Sequence, residues 1–392
     1  MYNIVSMKRF LVAVLITLSG ILFLFPRQSF AIEDPLALPN NKMGVHILFP
    51  SEITKAADLV NGSGGDWGYV TIPIQAGDRD MEKWQNFMNE AKKLHVIPII
   101  RLATAGDYFN TSVWSKPTAN DILDFANFLN SLSWPVRNRY VVIFNEVNRS
   151  DEWEGNLDPK EYADLLNYSV TAFKSLDKDF FIISGGLDNA APNIAGQYMN
   201  EYDYMEEMNE EVPGIFGLID GLGSHSYPNP GFKQMPYILT SQSIDSFQFE
   251  KNLAYRLSNK NLPVFITETG WSRAELPESQ IADYFRYAFS YVWNDKDIVC
   301  VNVFLLEGGE QGPFAKFSLT DTAGNGNRIF QSLHDIPKIK GEPTINPGID
   351  LTKYILPKNI PMKTFPVESQ YDNLPVRKTD TIESFLKWLF ML

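Results

Sequence analysis

The amino-acid sequence predicts an α/β chain folded as a (β/α)8 TIM barrel with a Pro-rich C-terminal extension. Three observations point there. From Met43 onward, short continuous apolar runs alternate with amphipathic helical stretches, the pattern of parallel βαβ units. Eight such runs fall before Phe330, starting at intervals of roughly 36 residues, close to the 31 or so of an unadorned eightfold barrel. Several of them end abruptly in polar or acidic residues, where barrels and open α/β sheets keep their chemistry. An open doubly wound sheet is the alternative, weakened by the lack of a Gly-rich dinucleotide turn after the first strand.

The runs are Gly44–Phe49, Tyr69–Ile74, Val96–Leu102, Tyr140–Glu146, Phe180–Leu187, Ile219–Tyr227, Val264–Glu268 and Ile298–Leu306. In the fourth, Tyr140–Phe144 is an unbroken apolar stretch that suits a strand buried on both faces of a parallel sheet. Between them, 3.6-residue periodicity marks helices over Ser51–Val60, Asp80–Leu94, Asn120–Ser131, Pro159–Leu176, Gln248–Leu257 and Glu278–Trp293. The acidic group Glu206, Glu207, Glu210 and Glu211 reads as a solvated helix face.

Residues 1–31 read as a secretory signal peptide outside the fold. Lys8 and Arg9 precede a charge-free run, Phe10–Phe25, and small residues precede a cleavage point after Ala31. An uncleaved anchor is the competing reading, but the run falls short of the roughly 20 residues a spanning helix needs. Loss of this segment removes three cations (Lys8, Arg9, Arg27) and no acid, taking the net charge from −13 to −16. An acidic balance of this kind argues against nucleic acid and anionic lipid as partners, and mildly against polyanionic substrates. The single cysteine, Cys300, permits no intrachain disulfide and reads as a small buried hydrophobe, so stability rests on the core. Residues 40–335 form the predicted barrel domain. Residues 336–392 form the extension, a Pro-rich strap followed by the apolar tail Thr381–Leu392. The tail is expected to dock on the barrel or on a membrane surface, so peripheral membrane or envelope association through either terminus is part of the expectation.

The candidate site comes from the strand ends. The third run offers Arg101, the fourth Asn145 and Glu146, the sixth His225 and Tyr227, the seventh Glu268. His225 and Tyr227 are two apart on a strand and share a face. Glu146 and Glu268 lie three strands apart in an eight-membered ring, which sets them across a narrow mouth. Paired carboxylates facing each other suit glycoside hydrolysis, with one as acid and the other as nucleophile or base. That chemistry needs their pKa values split, with Arg101 and Tyr227 keeping one ionised while burial and its partner's charge keep the other protonated. His46, on the first run, and Trp271, just beyond Glu268, are added as candidate substrate contacts. Trp67, Trp114 and Trp153 are loop aromatics able to stack on sugars or to pack inside. Four histidines without a close pair give no metal site, and no Gly-x-Ser-x-Gly elbow offers a serine nucleophile.

Asn145-Glu146, His225-Ser226-Tyr227-Pro228 and Thr267-Glu268-Thr269-Gly270-Trp271, at these intervals, resemble the clan A retaining glycoside hydrolases, over about Met43–Phe330. The resemblance implies that Glu146 is the acid/base and Glu268 the nucleophile. It further implies that Asn145 binds the 2-hydroxyl of the sugar, that Tyr227 holds Glu268, and that His225 lines the pocket near Glu146. Arg101 would pair with the nucleophile, although the clan's arginine often lies on the second strand. The clan's tryptophan at the end of the eighth strand is replaced here by Val303-Phe304-Leu305-Leu306, leaving Phe304 or Trp271 as the platform. The expected function is a secreted, retaining glycosidase acting on a β-linked oligo- or polysaccharide, with no metal or organic cofactor. The alternatives are a transglycosidase with the same residues and a non-catalytic carbohydrate-binding or envelope-associated barrel.

Overall fold

The computed structural model describes residues 32–108, 111–309 and 312–347. The expected signal peptide, the apolar tail and the extension beyond residue 347 lie outside the described residues. Among the described residues, no helix is long and apolar enough to cross a membrane.

Eight strands, β1 (Met43–His46), β2 (Gly68–Gln75), β3 (Val96–Ala103), β4 (Arg139–Ile143), β5 (Phe180–Ser184), β6 (Leu222–His225), β7 (Val264–Thr269) and β8 (Ile298–Val303), form one sheet. Their order is β5-β4-β3-β2-β1-β8-β7-β6, and every ladder is parallel. The eighth seam, between β5 and β6, has no ladder. It is closed by the bridge Ile183–Gly221, and Asp220 Oδ accepts from Ile182 N–H at 2.8 Å. The two strands come so close there that a Cβ on Gly223 would lie 2.2 Å from the Ser184 carbonyl. The result is a (β/α)8 TIM barrel.

Helices α1 (Ile53–Val60), α2 (Met81–Lys93), α3 (Ala119–Ser131), α4 (Pro159–Leu176), α5 (Glu201–Glu211), α6 (Ile215–Leu218), α7 (Ser246–Ser258), α8 (Glu278–Tyr287) and α9 (Arg328–Asp335) complete the βα units. Their starts are set locally. Asp80, Thr118, Asp158 and Asn327 each accept a first-turn N–H, and Pro159 begins α4 where its missing N–H costs nothing. Helices α1, α2, α4 and α7 bury apolar residues against the strands, and the others pack largely on neighbouring helices.

Inside the barrel, Tyr69, Tyr140, Phe181 and Phe265 fill the lower layer, with successive ring centroids 6.3, 5.1 and 5.5 Å apart. Cys300 is buried among them, as its apolar surroundings in the sequence suggested. Tyr69 donates to Asn40 Oδ1 at 2.9 Å, and Asn138 donates to the Tyr140 hydroxyl at 3.0 Å, so neither phenol is buried unsatisfied. Residues 336–347 run along the same lower face, bridging Lys340 to Asp66 and Ile345 to Val136.

The strand expected to reach Glu146 stops at Ile143. Phe144 (φ 64°) and Glu146 (φ 41°) both sit in the left-handed region, which takes the chain out of the ladder. For a bulky non-glycine residue such a conformation costs of order 1–3 kcal/mol, and it recurs where a side chain must be aimed.

Candidate active site

The chain leaves β4 through this strained turn. Glu146 N–H donates to the Gly186 carbonyl at 2.9 Å, and Arg149 N–H closes back on the Glu146 carbonyl at 2.9 Å. The carboxylate is thereby aimed into the mouth of the barrel. On the opposite side Glu268 projects from β7. Its neighbour Thr269 donates to the Ser226 carbonyl at 2.6 Å and locks the strand against the end of β6. A register shift between Ser224 and His225 sets His225 opposite Glu268.

These elements bring seven of the predicted residues together. His225 Nδ1 lies 3.0 Å from Glu146 Oε1 and 3.9 Å from Glu268 Oε2. Tyr227 donates its hydroxyl to Glu268 Oε2 at 3.0 Å. Arg101 Nη1 lies 3.7 Å from Glu268 Oε1, and His46 Nε2 lies 3.6 Å from the same oxygen. Asn145 lines the cavity, and its buried Oδ1 has no hydrogen-bond partner among the described residues. One oxygen of Glu146, one oxygen of Glu268 and a nitrogen of His225 all fall within 4.8 Å of one another. His46 and His225 are fully buried and sit behind the carboxylates. The His225 ring is held there by Gly186, where a Cβ would stand 2.1 Å from His225 Cδ2.

Both glutamates face a cavity of about 470 Å³. One wall is aromatic: Phe232, Phe304, Phe314 and Phe317 pack edge to face behind Tyr227. The other carries Arg149, Asp151, Glu152 and Asp188. Tyr108 and Trp114, with ring centroids 5.9 Å apart, line it further out.

Trp271 is a correction. It does not reach the cavity. Its indole is buried against Phe285 and Trp293, with Nε1 donating to the Gln234 carbonyl at 2.8 Å, so it belongs to the packing beneath α8. Phe304, just past the end of β8, does line the cavity. Of the other flagged indoles, Trp114 lines the cavity, Trp153 is buried, and Trp67 stacks on His95 at the opposite end of the barrel.

The charge pattern also differs from the expectation. Burial disfavours the Glu146 carboxylate, but the Arg149 guanidinium at 3.1 Å and the His225 hydrogen bond outweigh it and bring its pKa to about 2. The expected effect of a charged partner is overridden by a cation three residues along the chain. His225 goes the other way: burial would lower it, but Glu268 and Glu146 raise it above the ordinary value. His46 is pushed well below that value by burial and by Arg101 and is neutral. Burial and the Glu146 charge raise Glu152 to about 8 and Asp188 to about 6. Arg149, Asp188 and, apart from Phe304, the aromatic wall were not found from the sequence. The Glu-x-x-Arg spacing directly after a strand end was the one available sign of Arg149.

Glu146, His225 and Glu268 also have the spacing of a three-ligand metal site. Arg101 and Arg149 already supply a cation to each of the two carboxylates, and a divalent ion would have to displace or sit beside them.

No protein-family model matches the chain, and no curated protein matches its sequence. Its fold does match solved structures. A family 39 glycoside hydrolase from Bacteroides cellulosilyticus WH2 superposes with a TM-score of 0.55 at 16% identity, covering 78% of this chain and 64% of that one. A family 39 β-xylosidase from Caulobacter crescentus gives 0.53 at 14% identity, with 76% and 71% covered. A glucosidase from Croceicoccus marinus gives 0.57 at 9% identity, with 76% and 68% covered. The chain thus spans just under two thirds of the length of the first of these. These neighbours include enzymes of the clan that the strand-end motifs resemble, and what this chain shares with them is the (β/α)8 barrel.

Proposed function

We propose that the protein is a retaining glycoside hydrolase acting on β-linked sugars. The observation that carries this reading is the approach of Glu146 and Glu268, whose nearest oxygens lie within 4.8 Å across the cavity. Retaining enzymes hold their carboxyl groups about 5–5.5 Å apart, whereas inverting ones leave about 6.5–9.5 Å for a water. In the first step a Glu268 oxygen attacks the anomeric carbon. The bond from that carbon to the leaving oxygen breaks, and Glu146 passes its proton to that oxygen. In the second step Glu146 takes a proton from water, the water oxygen bonds to the anomeric carbon, and Glu268 departs as a carboxylate.

Arg101 and Tyr227 stabilise the Glu268 carboxylate before attack and after release. The unpartnered Oδ1 of Asn145 suits a sugar hydroxyl, His225 fixes one Glu146 oxygen, and Phe304 offers a ring face. No step requires a metal or an organic cofactor. The leader-like segment 1–31 supports export to the cell surface or beyond.

The test uses 2-deoxy-2-fluoro glycosyl fluorides, which accumulate the covalent intermediate. The adduct is expected on the peptide holding Glu268, and Glu146→Ala is expected to lower turnover by about 10²–10⁴-fold. An adduct on another carboxylate, or near-normal hydrolysis by Glu146→Ala, overturns the reading.

A further inference from the structure

Resting on that reading, we propose that Arg149 is the positioning residue that decides when Glu146 carries a proton. It holds Glu146 as a carboxylate in the free site and, when a sugar enters, lets it go for Asp188 while keeping Asp151.

The argument starts from the two oxygens of Glu146. Oε1 is taken by His225, whose ring is buried and pinned by Gly186. Oε2 is taken by Arg149 Nη1 at 3.1 Å, and the arginine side chain is 29% exposed and lines the cavity. Each oxygen keeps a further lone pair, but a proton placed on Oε2 for the leaving group works against the Arg149 contact. With His225 pinned, Arg149 is the partner able to give way.

It is held in a manner that makes release cheap. Nε and Nη2 fork onto Asp151 at 3.1 and 2.7 Å, and Nη1 lies 3.6 Å from Asp188. A guanidinium leaving Glu146 thus keeps a bidentate carboxylate and has a second within reach, and it never becomes a buried, unpaired charge.

The neighbouring groups favour the exchange. Asp188 is held up chiefly by burial and then by the Glu146 charge, so protonation of Glu146 removes a charge that opposed ionisation of Asp188. A newly ionised Asp188 is a better partner for Arg149. Glu152, on the same wall, is raised for the same two reasons. His225 faces both glutamates, and Arg101 faces Glu268. The proton that reaches Glu146 Oε2 comes from solvent and leaves with the departing alcohol. Glu146 is then a carboxylate again and can re-pair with Arg149 until it accepts a proton from the attacking water.

The decisive experiment needs no substrate. Protein carrying ¹³C at the glutamate carboxyl carbons is titrated by NMR, with the Glu146 signal identified by its loss in Glu146→Gln. Arg149→Met and Arg149→Gln, both checked for folding by circular dichroism, are expected to raise the Glu146 midpoint by at least about one pH unit. An unmoved midpoint in a folded variant overturns the proposal. Kinetics supply the second arm. On aryl β-glycosides with poor leaving groups, the alkaline limb of kcat/KM is expected to move to higher pH in Arg149→Met. On 2,4-dinitrophenyl glycosides, which leave without a proton, it is expected to stay in place. Equal movement on both also overturns the proposal. Failure of the wild-type protein to hydrolyse any glycoside would count against the hydrolase reading alone, with the titration still deciding the role of Arg149.

Discussion

Tyr227 donates its hydroxyl hydrogen to Glu268 Oε2 across 3.0 Å, from a ring that is itself buried. Burial and the Glu268 charge push the phenol well above its ordinary pKa, so it is a permanent donor. A hydrogen bond to a charged group contributes about 1.5–3 kcal/mol, which corresponds to roughly 10–100-fold in rate if the bond is made to the attacking carboxylate. Tyr227→Phe is therefore expected to lower kcat by about that factor. The ring would keep its contacts with Phe232 at 5.1 Å and Phe317 at 5.9 Å, so the Tm should hold. An unchanged kcat on aryl glycosides would remove Tyr227 from the chemistry.

The residues that converge at the mouth were legible because buried parallel strands appear as unbroken apolar runs, and an acid ending such a run has few places to go. What lay off the strands was not. Phe144 and Glu146 take left-handed backbone conformations that no glycine announces, so the fourth strand was read three residues too long. The turn that carries Arg149 onto Glu146 was hidden with it. Trp271 was misplaced for a different reason. Its position just after Glu268 suggested the pocket, but its burial depends on Phe285 and Trp293, and local sequence carries no trace of that contact.

Phe304 and Trp271 make separable expectations. Phe304 stands 5.3 Å from the His46 ring and lines the cavity, whereas Trp271 is part of the core. Phe304→Leu keeps most of the volume and loses the ring face, worth about 0.5–1.5 kcal/mol, so KM should rise up to about tenfold with little change in Tm. Trp271→Ala should instead cost about 3–5 kcal/mol of stability and leave KM of the folded fraction near wild type. Paired thermal melts and Michaelis–Menten curves check both, and a raised KM with unaltered Tm in Trp271→Ala would reverse the assignment.

A second pair of carboxyls, away from the cavity, is expected to make stability depend on pH. Glu250 on α7 and Glu201 at the start of α5 are buried together, and Ser224 and Ser246 each donate to Glu250 Oε1 at 2.9 Å. Burial raises Glu250 to about 7, despite the hydroxyls, and burial followed by the Glu250 charge raises Glu201 well above its ordinary value. A carboxyl whose pKa is higher folded than unfolded binds its proton more tightly in the native state. Its contribution is complete below the unfolded value near 4.5 and is lost as pH rises through about 7, a change on the order of 3 kcal/mol for Glu250. The Tm is therefore expected to fall between about pH 5 and about pH 8. Glu52 and Glu152, raised to about 7 and about 8, add to the same slope, so the pair is isolated by difference. Glu201→Gln removes a carboxyl raised well above its ordinary value and leaves an amide that can still donate to Glu250, so the variant should lose less Tm over that interval than the wild type does. Parallel Tm-against-pH curves for the two proteins would remove this pair as a source of the alkaline instability.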